Sequence, residues 1–132
     1  MWEPFKGVDA TEIDWDSEGI RELVEQQYAP DVELRWSATG PETRVYRGRD
    51  GVIQAFREWV EPFSEYRTEP LDYIDVGDRV VIPQRQWGVG RTSGIPVDIE
   101  VTHVYEFRNG QIIRIDEYDT REEALKAAGL RE

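Results

Sequence analysis

Between residues 18 and 28, Ile20, Leu23, Val24 and Tyr28 recur three and four positions apart, with Gln27 on the same face. That spacing predicts a one-sided helix, capped by Asp16 or Ser17 and ended by Pro30. In the following "DVELRW", Val32, Leu34 and Trp36 alternate with Glu33 and Arg35, the two-residue repeat of a half-buried strand. A turn-rich stretch, "ATGPETRVYRGRDG", leads to a second helical run over 51–63. There Val52, Ala55, Phe56, Trp59, Val60 and Phe63 fall on one side, and Pro62 breaks the run near its end.

From Tyr66 onward the pattern is that of strands. "YRTEPLDYIDV", "RVVIPQRQWGVG", "IPVDIEVTHVYEF" and "QIIRIDEYD" are separated by "GD", "RTSG" and "RNG", links short enough for sequential antiparallel hairpins. Thr120-Arg121-Glu122-Glu123 forms a capping box for a short last helix that closes at Gly129. Helices, a long meander and a final helix predict an α+β fold, one curved sheet wrapped around helices. No repeat or low-complexity linker divides the chain, so residues 1–132 are expected to form a single domain.

Composition narrows the possible functions. A chain of 132 residues buries roughly two thirds of its unfolded surface and folds without staples. It has no cysteine, which excludes a disulfide scaffold and a thiol nucleophile and fits a cytoplasmic location. The opening "MWEPFKGVDATEIDWD" lacks a basic region followed by an apolar run, and no stretch approaches the ~18 apolar residues of a membrane helix. Sixteen basic and 28 acidic residues give a net charge of -12, which disfavours nucleic acid and anionic membrane as partners. "GVGRTSG" at 88–94 brushes against a dinucleotide-binding pattern, but a strand follows it, so it reads as a hairpin turn. With one histidine, no cysteine and no carboxylate-rich loop spacing, neither a metal nor another cofactor is expected.

That histidine lies in "IEVTHVYEF". Alternation puts Val97, Ile99, Val101, His103, Tyr105 and Phe107 on one face and Asp98, Glu100, Thr102 and Glu106 on the other. The next hairpin decides its partner. A two-residue Asn109-Gly110 turn sets Asp116 opposite His103, whereas a three-residue Arg108-Asn109-Gly110 loop puts Ile113, Ile115 and Glu117 on the His103 face. The second is favoured, because it gives isoleucines to the core in place of Arg114 and Asp116. In the preceding strand Arg85 and Trp87 share a face with Val81 and Val89. If that face is the inner one, they join Trp36, His103, Tyr105 and Glu117, with Phe56 and Trp59 from the second helix, around a pocket.

The order of elements, with "YAPDVELRW", "YRGRDGVIQAFREW" and "VTHVYEFRNGQIIRIDEYDTREEAL" as signposts, resembles the SnoaL-like polyketide cyclase family of the nuclear-transport-factor-2-like superfamily, over about residues 17–130. The resemblance implies a cone: a strongly bent antiparallel sheet, an α+β barrel whose concave side and helices enclose a pocket. Its outer face commonly makes a homodimer. Only "WEPFKGVDA" precedes the first cap, where family members begin with a long helix, so the pocket's lid is expected to be shortened or supplied differently.

The resemblance further implies acid-base chemistry on a small, largely apolar, carbonyl-bearing molecule, with glutamate standing where the cyclases carry aspartate. Burial makes a carboxyl group harder to ionise and an imidazole titrates near neutrality, so such a pair can abstract and return a proton. His103 and Glu117 are the expected pair, Arg85 or Tyr105 the expected enolate donor, and Trp36, Trp87, Tyr105, Phe56 and Trp59 the expected substrate contacts. Two sister activities fit less well. The first-strand base of ketosteroid isomerases corresponds to Trp36 and their buried acid to His103; of the limonene epoxide hydrolase trio, Arg85 and Glu117 match but the second carboxylate is replaced by Trp87. A non-catalytic binding or dimerisation module is the alternative.

Overall fold

The Ser17 hydroxyl accepts a hydrogen bond from the Ile20 amide and starts α1, Glu18–Gln27, so the cap is Ser17. The helix ends before Pro30, at Tyr28, whose extended backbone (φ -115°, ψ 137°) already opens β1, Tyr28–Trp36. Pro30 therefore lies inside a strand. The computed structural model describes residues 7–36 and 43–129. Residues 1–6, 37–42, which include the start of the turn-rich stretch, and 130–132 lie outside the described residues.

Seven strands form one strongly curved, unclosed sheet in the order β2-β1-β7-β6-β5-β3, with β4 paired to β5. They are β1, β2 (Arg44–Arg47), β3 (Phe63–Pro70), β4 (Ile74–Val76), β5 (Arg79–Gly90), β6 (Pro96–Arg108) and β7 (Gln111–Tyr118). The α+β class holds, and the expected β5, β6 and β7 match to within a residue or two at each end. Four points differ. β2 was read as turn, because four residues with exposed or half-exposed side chains carry no burial pattern. The single strand expected over 66–76 is two, β3 and β4. Phe63 belongs to β3, not to the preceding helix α2 (Gly48–Val60). Finally, β1 runs parallel to β7, so the sheet is mixed; side-chain alternation is the same whichever way a neighbour runs and does not encode direction.

The inner face of the sheet and the helices α1 and α2 share one core. Val32, Leu34, Val52, Ala55, Ile112 and Ile115 are fully buried there. The third helix, α3 (Arg121–Ala127), begins at the Thr120 cap and packs Ala124 and Ala128 against Val81 and Val104 on the opposite face. It thus occupies part of the outer face that the family resemblance reserves for a second copy. Where β3 crosses β5 at Tyr66 and Gly88, a side chain on Gly88 would collide with the Glu65 carbonyl, so glycine permits the close approach.

The hairpin between β6 and β7 resolves the register. Its turn is the two-residue one: Asn109 and Gly110 both have positive φ, 53° and 78°, and Arg108 pairs with Gln111. The three-residue loop is thus corrected. Phe107 pairs with Ile112 but Glu106 pairs with Arg114, so Ile113 is an extra, bulged residue. The bulge shifts the register by one, and His103 comes to lie directly opposite Glu117. The isoleucines in the core are Ile112 and Ile115, not Ile113.

Candidate functional site

Between the inner face and the helices lies a cavity of about 90 Å³, room for several waters or a small organic molecule. Its wall is mostly apolar. The α1 side chains Ile20, Leu23 and Val24 and the α2 side chains Ile53, Phe56 and Trp59 form one side; Trp36, His103, Tyr105 and Glu117 project from the sheet. Rings dominate the contacts: Trp15 stacks on Phe56 at 5.5 Å, Trp36 lies 5.9 Å from Trp59, and Trp36 stacks on His103 at 5.3 Å and 24°.

His103 and Glu117 form a buried pair, Nε2 to Oε2 3.1 Å, with each side chain 5% exposed. An ionised carboxylate only accepts, so in that state the shared hydrogen sits on Nε2. Oε2 is thereby committed to the imidazole. Three phenols share the wall, those of Tyr28, Tyr66 and Tyr105. Burial pushes the Tyr28 hydroxyl well above its ordinary range. Burial does the same to Tyr66, opposed by the hydrogen bond from Trp59 and assisted by the negative charge of Glu117. Tyr66 Oη accepts from Trp59 Nε1 and keeps its own hydrogen to donate.

The segment before α1 closes one side of the cavity with Val8, Ala10, Ile13 and Trp15. Asp9 fastens it: Oδ1 accepts from the Thr11 amide at 3.0 Å, the Thr11 hydroxyl at 2.7 Å and, on β3, the Tyr66 amide at 3.1 Å. The Gly7 amide donates to the Thr68 carbonyl at 3.0 Å. Partial burial pulls the Asp9 carboxyl upward, but these hydrogen bonds and the Arg67 charge outweigh it and hold the group below its ordinary range.

Of the residues singled out in the sequence, Trp36, Phe56, Trp59, His103, Tyr105 and Glu117 border the cavity. Arg85 and Trp87 do not. They face outward, where Arg85 forms a bidentate pair with Asp98 at 2.8 and 3.0 Å and its guanidinium sits 4.3 Å over the Trp87 ring. The inner residues of β5 are Ile82, Gln84 and Gln86. Residues 81–84 are buried on both faces of β5, since α3 covers Val81 from outside, so alternation there does not tell inside from outside. In the fold, exposed Arg85 beside buried Gln86 shows the even positions to be the inner ones. Tyr66, Gln84, Gln86 and the 8–15 segment were missed as cavity residues.

No helix among the described residues is long and apolar enough to cross a membrane. No curated protein matches the sequence. Many solved structures share the fold, among them the following three. One, named as a SnoaL-like polyketide cyclase from Jannaschia sp. CCS1, is 18% identical, covers 90% of this chain and 84% of its own, and has a TM-score of 0.67. A second, a hypothetical protein with a ketosteroid isomerase-like fold from Catenulispora acidiphila DSM 44928, in complex with trimethylamine, is 17% identical over 89% of this chain and 87% of its own, TM-score 0.66. The third, TerC co-crystallised with polyporic acid, is 18% identical over 91% of this chain and 95% of its own, TM-score 0.62. The model of the SnoaL-like domain matches residues 14–115, the span that carries α1, α2 and the sheet up to the middle of β7, and the chain belongs to that family.

Proposed function

We propose that this protein binds a small, largely apolar, carbonyl-bearing molecule in the inner cavity and moves a proton on it, as a cofactor-independent cyclase or isomerase. The observation that carries this reading is the His103 to Glu117 pair, buried at 3.1 Å on the wall of an apolar cavity. His103 holds Oε2, so Oε1 of Glu117 is the oxygen assigned to the substrate. It takes the proton alpha to the carbonyl, and the C–H electron pair passes into an enolate. Tyr66, kept neutral by burial, donates to the enolate oxygen in the role that Arg85, on the outer face, cannot fill. Returning the proton to a different carbon completes an isomerisation. If the enolate carbon instead attacks a second carbonyl, the proton goes to the new alkoxide and a ring closes.

The test is deuterium incorporation alpha to the carbonyl of small cyclic ketones in D2O, followed by NMR. Wild type is expected to accelerate exchange, and Glu117→Gln to lose about 10²–10⁴ of that acceleration; equal rates in folded wild type and variant sink the catalytic role. A second reading is a non-catalytic binding module. It is favoured by the close stacking of Trp36 on His103, which gives the imidazole a packing role of its own. Binding of the ketones without exchange in wild type decides for it.

A further inference from the structure

Gln84 and Gln86 are 0% and 3% exposed and both border the cavity. They touch each other, Gln86 Nε2 donating to Gln84 Oε1 at 3.3 Å. Gln84 Nε2 and Gln86 Oε1 are buried with no hydrogen-bond partner among the described residues. A buried amide left unmet is destabilising unless something supplies the missing partner. As long as the two amides are hydrogen-bonded to each other, what remains unmet does not depend on which of them donates. If both are turned over, Gln84 donates to Gln86, and again one side chain keeps a free N–H and the other a free carbonyl lone pair. The pair therefore always leaves one donor and one acceptor two residues apart on one face of β5. The wall also carries Trp36 Nε1, a further unmet donor. Among the described residues it contains no arginine or lysine, and it does contain Glu117, so its lining is better matched to a neutral ligand than to an anionic one.

We propose that Gln84 and Gln86 form the recognition subsite of the cavity and select a neutral molecule whose carbonyl lies next to an N–H or O–H donor, the grouping of a lactam, a carboxamide or a hydroxy-ketone. This rests on the cavity being a ligand site. The ligand carbonyl accepts from one glutamine amide while its neighbouring donor meets the carbonyl of the other, so a two-point contact fixes which end of an otherwise apolar molecule faces β5. A ketone without the donor fills the same space and leaves one glutamine atom unmet.

Three probes of similar ring size separate the possibilities: 2-pyridone, with carbonyl and adjacent N–H; N-methyl-2-pyridone, with the carbonyl alone; and toluene, with neither. Each is titrated by NMR into wild type and into Gln84→Met/Gln86→Met, a variant of similar shape in which both partners become apolar, a change expected to be close to neutral for folding. In wild type 2-pyridone is expected to bind at least about tenfold more tightly than N-methyl-2-pyridone, the equivalent of one well-made buried hydrogen bond. In the double variant that preference is expected to vanish while toluene still binds. A preference that survives in the double variant is steric and overturns the proposal, as does equal binding of the two pyridones to wild type. That wild-type comparison requires no variant to fold. Toluene binding with no lactam preference overturns the glutamine subsite alone; failure of all three probes to bind overturns the ligand cavity and the subsite with it.

Discussion

On the outer face of the sheet Arg85 and Asp98 are joined by two hydrogen bonds, and their side chains are 44% and 59% exposed. On the inner face His103 and Glu117 are joined by one, and each is 5% exposed. By geometry the outer pair is the better made. By surroundings the order reverses, since water screens the first and leaves little net gain. The second has given up its hydration and depends on its partner. The outer face carries further pairs, with Arg47, Glu33 and Arg35 linked on β1 and β2 and Arg114 held to Asp116 on β7, the last carboxylate only 12% exposed. Both faces are built from alternate residues of the same strands. Charge on the outer face is mostly within reach of water, whereas the carboxylate of Glu117 on the inner face is buried and borders the cavity.

The sharpest way to break this comparison is to remove one member of the inner pair. His103→Ala leaves Glu117 buried without its partner and is expected to cost about 3–5 kcal/mol in urea unfolding. His103→Leu/Glu117→Met, which replaces both polar partners by apolar groups, is expected to recover most of it. If the double variant is no more stable than the single, the pair is not coupled as described. A smaller effect concerns the strap over the cavity. Asp9 has its carboxyl held below its ordinary range, so the folded state favours the charged form. That contribution is complete above the ordinary range near about 4 and is lost as the pH falls through the lowered value. Wild type is therefore expected to exceed Asp9→Asn in stability at pH 6, with the gap closing toward pH 3; a gap independent of pH removes Asp9 as a charged fastener. The smallest effect is expected outside: Arg85→Ala should leave both the urea midpoint and toluene binding unaltered at ~0.15 M salt. A clear loss of binding there reconnects the outer face to the cavity.

Much of this was legible from side-chain period alone. Helical spacing at 20, 23 and 24 and alternation at 32, 34 and 36 identified α1 and β1, and the capping box at 120–123 located α3. His103 and Glu117 were read onto the same face, and they are on it, although by a different route: the turn is short and the bulge at Ile113 restores the register. A bulge adds a residue without changing composition or the alternation on either side, so periodicity does not reveal it. Arg85 and Trp87 were misplaced for another reason. A strand covered on both faces loses the contrast on which reading by alternation depends, and only the position of α3, a long-range contact, discloses which face is which.

The bulge at Ile113 makes chain length a variable of the site. Deletion of Ile113 would leave an unbroken ladder from Gln111 to Tyr118 with Glu117 still facing His103, so the hairpin tolerates losing that residue. Insertion of one residue between Arg114 and Asp116 would instead set Asp116 opposite His103, on the cavity face, and turn Glu117 to the outer face, opposite Thr102. In an evolving gene, a single in-frame codon gained in β7 would exchange the longer carboxylate for the shorter one without substituting any residue that lines the cavity. Members of one lineage can thus differ in their acid-base group through an insertion that an inspection of the wall residues alone would overlook.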